Sequence, residues 1–379
     1  MNRVRTQPRK TKAIASARAK PLDRVTRRLL SEIRELIDRT RSEIAQTVNA
    51  GLVLTYWLIG ERIRKEILKE ERADYGKQIV ATLSQQLTAE YGKGFTEANL
   101  FNMIRFAETF PDKQIVYALS RELSWTHFRR IIYIDDPLKR DFYAEMCRVE
   151  RWSTRTLNAK IDGMLFERTA LVKKPERVIQ RELAKLRDED RMTPDLVFRD
   201  PYLLDFLGLS TAYSEKDLES AVLRELEQFL LELGTDFTFV ARQKRLSIGK
   251  EDFYLDLLFY HRGLRRLVAI ELKLGRFSAA HFGQMELYLR WLDKYERRPG
   301  EDAPLGLILC SEKDEDQFEL LELGRSGIRV AEYLTELPPR PLLEAKLHEA
   351  IRRAREQVGE SDRPTQVKPK KISVKRKRK

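Results

Sequence analysis

The chain has 379 residues, enough for about two or three domains, and its 42% hydrophobic content excludes a wholly disordered protein. Its most apolar stretch, Ala50–Gly60 interrupted only by Thr55, falls well short of the roughly 20 residues a membrane span needs. The formal charge of +13 sits at the two ends: residues 1–22 hold seven Lys/Arg and no acid, and residues 361–379 hold nine Lys/Arg against Asp362.

Both ends lack apolar periodicity and contain proline, so they read as disordered basic arms suited to a polyanion such as nucleic acid. No apolar segment follows the first positive charges, which argues against a secretory signal. Cys147 and Cys310 lie far apart, so neither a disulfide framework nor a zinc site is expected. That usage fits a reducing cytosol, and the basic arms suggest nucleoid association. The expected domain division is 1–22 arm, 23–170 helical N-terminal domain, 171–195 charge-rich linker, 196–340 sheet-containing domain, 341–360 C-terminal helix and 361–379 tail.

In chain order, Arg24 to about Lys69 reads as helical, because Leu29, Leu30, Ile33, Leu36, Ile37, Ile44 and Val48 recur at three- and four-residue steps. Gly51 or Gly60 is a candidate break between two helices. Ile79, Leu83 and Leu87 share a second helical face, Gly92 and Gly94 mark a turn, and Thr96 is a candidate cap for a helix ending before Pro111. This is a helix-turn-helix outline whose second helix would show Asn99, Asn102 and Arg105 outward. Ser124 is a candidate cap for a helix carrying Arg129 and Arg130.

Beyond Pro201, Ser214-x-x-Asp217 resembles a capping box opening a helix that closes at Gly234. Strand-like segments follow at Phe237–Ile248, Phe253–Tyr260 and Arg266–Lys273, then a helix at Ser278–Lys294 and a buried strand at Leu305–Cys310. A helix at Asp314–Leu323, a strand at Ile328–Tyr333 and a last helix at Leu342–Gln357 complete the pattern. The order αβββαβαβ predicts a mixed sheet flanked by helices.

Alternation in the third strand puts Glu271 and Lys273 on one face. If the preceding hairpin turns symmetrically about Gly263–Leu264, Asp256 lies directly opposite Glu271, with Cβ atoms about 4.5–5.5 Å apart. Two carboxylates so close repel unless a cation or proton sits between them, and their oxygen ligands suit Mg²⁺ or Mn²⁺. Glu219, on the inward-looking side of the Ser214 helix, is a third candidate acid. Gln284, in the helix after Lys273, is within reach of the same place. The bland alternatives are an edge-strand ion pair for Asp256, Glu271 and Lys273, a dipole-stabilised helix-start acid for Glu219, and a surface amide for Gln284.

At these residues the chain resembles the PD-(D/E)XK nuclease superfamily: Asp256, fourteen residues, then Glu271-Leu272-Lys273, with Glu219 upstream and Gln284 downstream. More closely it resembles the bacterial YhcG-type family, in Asp200-Pro201-Tyr202, Asp205 to Leu209, Phe229 to Gly234, Asp256 to His261, Ala269 to Lys273, Tyr56 to Gly60 and Ser124-Trp125-Thr126. Leu255 stands where the superfamily motif usually has proline, a backbone feature and not a ligand. The resemblance covers roughly residues 25–340.

It implies a two-domain α+β protein: a helical, winged-helix-like N-terminal domain followed by a restriction-endonuclease-like αβββαβ domain with a mixed central sheet. It further implies a metal-dependent phosphodiesterase, most simply an endodeoxyribonuclease leaving a 5′-phosphate and a 3′-hydroxyl. Asp256, Glu271 and the Leu272 carbonyl would hold Mg²⁺ or Mn²⁺, Lys273 would act on the water and the phosphate, Glu219 would orient water, and Gln284 would support Lys273 or the phosphate. The partner would be DNA, with RNA cleavage or a catalytically silent binding subunit as alternatives, no membrane, and a homodimer compatible with two-strand cutting.

Overall fold

The computed structural model describes residues 24–67, 73–209, 213–234, 236–312 and 326–361. The two basic arms and the expected helix Asp314–Leu323 lie outside these residues.

The N-terminal part is helical. Helix α1 runs Arg24–Ile67, α2 Ala73–Tyr91, α3 Glu97–Thr109, α4 Lys113–Ser120, α5 Trp125–Ile131, α6 Pro137–Val149, α7 Thr154–Asp162 and α8 Leu165–Arg168. Among the described residues before Tyr202 the only β contact is an isolated bridge between Thr169 and Arg199, so this helical part carries no β-wing there.

Helix α1 passes through both Gly51 and Gly60 without a break. Gly60 serves a crossing instead: a Cβ there would fall 1.8 Å from the backbone oxygen of Met103 in α3. Only a bare backbone permits that approach. Trp57, one turn earlier, donates its indole N–H to Phe110 O at 2.8 Å and locks the far end of α3. The early part of α1 leaves Leu29, Leu36, Ile44 and Val48 exposed.

The expected outward face of α3 is engaged by its neighbours, with Asn102 buried and Asn99 and Arg105 half-buried. Asn99 bonds Gly94 O and receives the Trp125 indole N–H. Asn102 is buried and accepts the Tyr133 hydroxyl at 2.6 Å. Arg105 donates to Ile132 O and stacks over the Tyr133 ring. A sequence period shows which face is polar; it cannot show that a neighbouring helix supplies partners for that face. Ser124 does cap α5, its backbone N–H donating to His127 Nδ1 at 3.0 Å.

Within the expected connection 171–195 the structure places helix α9, Glu176–Glu189, whose Ile179, Leu183 and Leu186 are buried in the main core. Helix α10, Pro194–Val197, leads to strand β1, Tyr202–Leu203. Ser214 and Asp217 form the capping box of α11, Glu215–Arg224. The chain then breaks at Glu225 and restarts as α12, Leu226–Leu233, closed by Gly234 at φ 137°.

Strands β2 (Phe237–Ile248), β3 (Glu251–His261) and β4 (Arg266–Arg276) precede α13 (Ala279–Tyr295), β5 (Leu305–Glu312), β6 (Ile328–Leu334) and the last helix, Arg340–Ser361. The sheet order is β1-β6-β5-β4-β3-β2; β2, β3 and β4 are antiparallel, and β4, β5, β6 and β1 are parallel. The sheet is mixed, as the segment order requires.

Its two faces are covered differently. Val268, Ile270 and Leu272 of β4 join α11, α12 and the N-terminal helices in one continuous core. Leu267 and Ala269 pack with Met285, Tyr288 and Leu292 of α13. A buried ion cluster links the two parts of the chain: Glu232 of α12 accepts from Arg168 of α8, from the Leu203 N–H at 3.0 Å, and pairs with Arg199 at 3.3 Å.

Candidate active site

Strands β3 and β4 pair from His261↔Arg266 to Leu257↔Ile270, a register in which paired numbers add to 527. The next pair would be Asp256 and Glu271. There the ladder ends and the side chains replace it. The Asp256 N–H donates to Glu271 Oε1 at 3.2 Å, and the Leu272 N–H donates to Asp256 Oδ2 at 2.9 Å. Each acid thus accepts a backbone hydrogen from the opposite strand, and the pair sits in the fork where the strands part.

Lys273 closes the group, its Nζ 2.9 Å from Glu271 Oε2. The carboxylates and the ammonium that the sequence nominates are therefore brought together, not splayed across the sheet. Glu219 reaches the fork from α11, but through an intermediary. Gln243 Nε2 donates to Glu219 Oε2 at 2.9 Å and to Asp256 Oδ1 at 3.0 Å. Glu215, four residues before Glu219, accepts the Leu274 N–H at 3.0 Å and ties the start of α11 to β4 just past Lys273.

On α13, which covers the face of β4 that carries Leu267 and Ala269, Gln284 donates to the Tyr288 hydroxyl at 2.5 Å, so its partner is Tyr288 rather than Lys273. Tyr288 is buried, and its phenol is pushed up first by burial, with the Glu271 and Asp256 charges adding to that push. The charges of the fork are thus felt at α13.

Charge is held here against solvation. Glu271 is only 3% exposed, and burial, with Asp256 beside it, pushes its pKa up to about 7. Burial also raises Asp256, opposed by the Leu272 N–H and by Lys273. Burial works against the Lys273 charge, but Glu271 and Asp256 together outweigh it and hold its pKa above the ordinary lysine value. The pair of acids has one cation for two potential charges and is short of positive charge.

The donor set tests which ion would suit. Among the described residues no three His, Cys, Asp or Glu side chains converge to hold a metal. Two carboxylates in the fork form a partial oxygen seat, not a closed cage. That fits Mg²⁺ or Mn²⁺, which keep several waters and take further oxygens from a phosphate, better than Zn²⁺ with its four nitrogen or sulfur ligands. A cavity of about 510 Å³, lined by Lys139, Glu167, His348 and Arg352 among others, lies away from these acids.

Gln243 and Tyr288 are the members that the sequence pattern does not reveal. Tyr288 stands four residues after Gln284, a helical spacing that could have flagged it. Gln243 faces Asp256 across the β2–β3 register, between Arg242↔Leu257 and Lys244↔Leu255. An irregularity between Phe239 and Ala241 shifts that register by one residue, so turn length alone misplaces it.

Two family models match the chain: the DUF1016 N-terminal domain over residues 32–168 and the YhcG PDDEXK nuclease domain over residues 195–348. The chain is 35% identical over 335 residues to the Escherichia coli (strain K12) protein named "Putative nuclease YhcG", covering 80% of this chain and 88% of that one. The chain belongs to the YhcG nuclease family. Its YhcG-type nuclease domain begins at α10 and contains every residue of the fork, so the site lies within the part that the family model describes. Solved structures similar over a third of the chain include a repair endonuclease from Pyrococcus abyssi (21% identity, TM-score 0.24, 34% of this chain and 50% of that one) and a complex of EndoMS with double-stranded DNA (18%, 0.26, 34% and 49%). The chain spans about half the length of each. No helix among the described residues is long and apolar enough to cross a membrane.

Proposed function

We propose that the protein is a divalent-metal-dependent endonuclease that hydrolyses phosphodiester bonds in DNA. The observation that carries this reading is the fork itself: the buried Glu271 and the half-buried Asp256, locked to each other's strands, with Lys273 2.9 Å from Glu271. Asp256, Glu271 and the Leu272 carbonyl would hold Mg²⁺ or Mn²⁺. Bound there, such an ion polarises the scissile phosphate and makes an adjacent water acidic enough to attack at neutral pH.

The rest falls to the chain. Lys273 stays protonated between acidic neighbours, so it can donate to a phosphate oxygen and offset the charge that develops on phosphorus. The backbone N–H groups of Asp256 and Leu272 hold the carboxylates at fixed angles before substrate arrives. Glu219 lies one amide away from Asp256 and would orient the attacking water. The Tyr288 hydroxyl fixes the Gln284 amide at the edge of the site. The basic arms would add salt-sensitive affinity for the polyanion without reading its sequence.

The test is cleavage of linear, nicked and branched DNA and of RNA, each with Mg²⁺, Mn²⁺ or EDTA. Cutting that needs the metal and disappears in Asp256→Asn is the expected result. Cutting in EDTA, or cutting unaffected by Asp256→Asn, would refute it. RNA cut in preference to DNA would change the substrate but not the site.

A further inference from the structure

We infer that Gln243 is a positioning residue of this site: its side-chain amide ties Glu219 to Asp256 and sets the spacing of two acids that would otherwise repel. The inference rests on the metal-dependent reading above and adds a residue to it. One amide nitrogen directs its hydrogens to carboxylates from two different elements, Glu219 Oε2 of α11 at 2.9 Å and Asp256 Oδ1 of β3 at 3.0 Å. Both partners are acceptors, so the NH₂ end must face them. A neutral donor suits the place. It holds both acids without cancelling the negative charge that would attract a cation, whereas a lysine there would neutralise it.

The backbone is the second observation. Gln243 has φ +43° inside a β-strand. Among the described residues, the other non-glycine residues at positive φ, Arg151, Met164, Asp190 and Arg265, lie in turns or at helix ends. Such a conformation is disfavoured for a side chain with a Cβ and interrupts the alternation of a strand. β2 shows the interruption: Ala241 and Leu246 are an odd number of residues apart and should face opposite ways, yet both pack toward α13. The turn in the chain at Gln243 delivers its amide to Asp256, the residue it faces in register. An amide that merely filled space would need no left-handed backbone.

The full-length chain with Gln243→Gly and with Gln243→Glu separates position from packing. Glycine accepts the left-handed conformation and lacks the amide. In Gln243→Gly the relief of the left-handed backbone offsets the loss of the two amide hydrogen bonds, so it should melt in EDTA close to the wild type, while its affinity for Mn²⁺, measured by calorimetry, falls roughly 10- to 100-fold, the usual loss when a residue supporting metal ligands is removed. Gln243→Glu removes the donor and adds a third carboxylate, so it should melt lower in EDTA and gain a larger rise in melting temperature from Mn²⁺. Wild-type Mn²⁺ affinity in Gln243→Gly, or a Gln243→Glu protein whose melting in EDTA matches the wild type, overturns the assignment. A wild-type chain that binds no Mn²⁺ sinks the metal reading and this inference together, whereas binding that Gln243→Gly matches sinks this inference alone.

Discussion

Glu271→Gln should stabilise the metal-free protein at alkaline pH while abolishing its response to metal. Glutamine keeps the shape of the protonated acid but cannot ionise. In the folded chain Glu271 has its pKa pushed up from 4.5 to about 7, by burial first and by Asp256 next. A folded pKa above the unfolded one means the folded state binds the proton more tightly. This contribution to stability is complete below pH 4.5 and is lost as pH rises through about 7. At about 1.4 kcal/mol per pH unit, the ionised carboxylate costs the folded state about 3 kcal/mol at pH 8. The neutral amide of the variant would escape that cost. Spread over a chain whose two parts share one core, about 3 kcal/mol corresponds to a rise of a few °C at pH 8 and to no difference at pH 4. Differential scanning calorimetry in EDTA across pH 4–8 reads both. Adding Mn²⁺ at pH 8 should reverse the order, because the wild type then gains a cation for its paired acids and the variant does not. A Glu271→Gln protein that melts at or below the wild type in EDTA at pH 8 would show that Glu271 does not hold its charge against burial, and the account of the fork would fail.

Other expectations follow from separate parts of the molecule. Gly60→Ala would put a methyl group 1.8 Å from Met103 O, so α1 and α3 must separate, with an expected loss of about 1–3 kcal/mol by denaturant titration and metal binding left intact. Glu232→Gln would leave Arg168 and Arg199 buried without their counter-charge, at a cost of about 3–5 kcal/mol. Burial opposes the Glu232 charge, but the two arginines outweigh it and keep its pKa below 4.5, so the wild-type contribution is full above pH 4.5 and is lost as pH falls below it. Chemical denaturation at a series of pH values should therefore find the two proteins farthest apart at pH 7 and drawing together as pH falls below 4.5. Deleting residues 361–379 removes nine Lys/Arg and should flatten the slope of log affinity for DNA against log salt while leaving the cleavage rate at saturation unchanged.

What the sequence shows and what it hides divide along a physical line. The pairing of β3 with β4 was legible because a short symmetric turn fixes register, and every observed partner follows the number sum that the turn implies. The proximity of Asp256, Glu271 and Lys273 follows from that register and from strand alternation alone. The polar face of α3 was legible as polar but not as partnered, because Tyr133 and Trp125, which satisfy Asn102 and Asn99, lie 31 and 26 residues further along. The same limit hid Gln243. Its role depends on an irregularity in β2 and on a positive φ, neither of which has a composition signal when the residue is not glycine or asparagine. A left-handed residue inside a strand costs about 1–3 kcal/mol and persists only where its surroundings determine it. Here the surroundings are two carboxylates whose mutual repulsion the amide relieves. Strain in β2 and electrostatic need in the fork are therefore two sides of one arrangement, and the sequence could show the second but not the first.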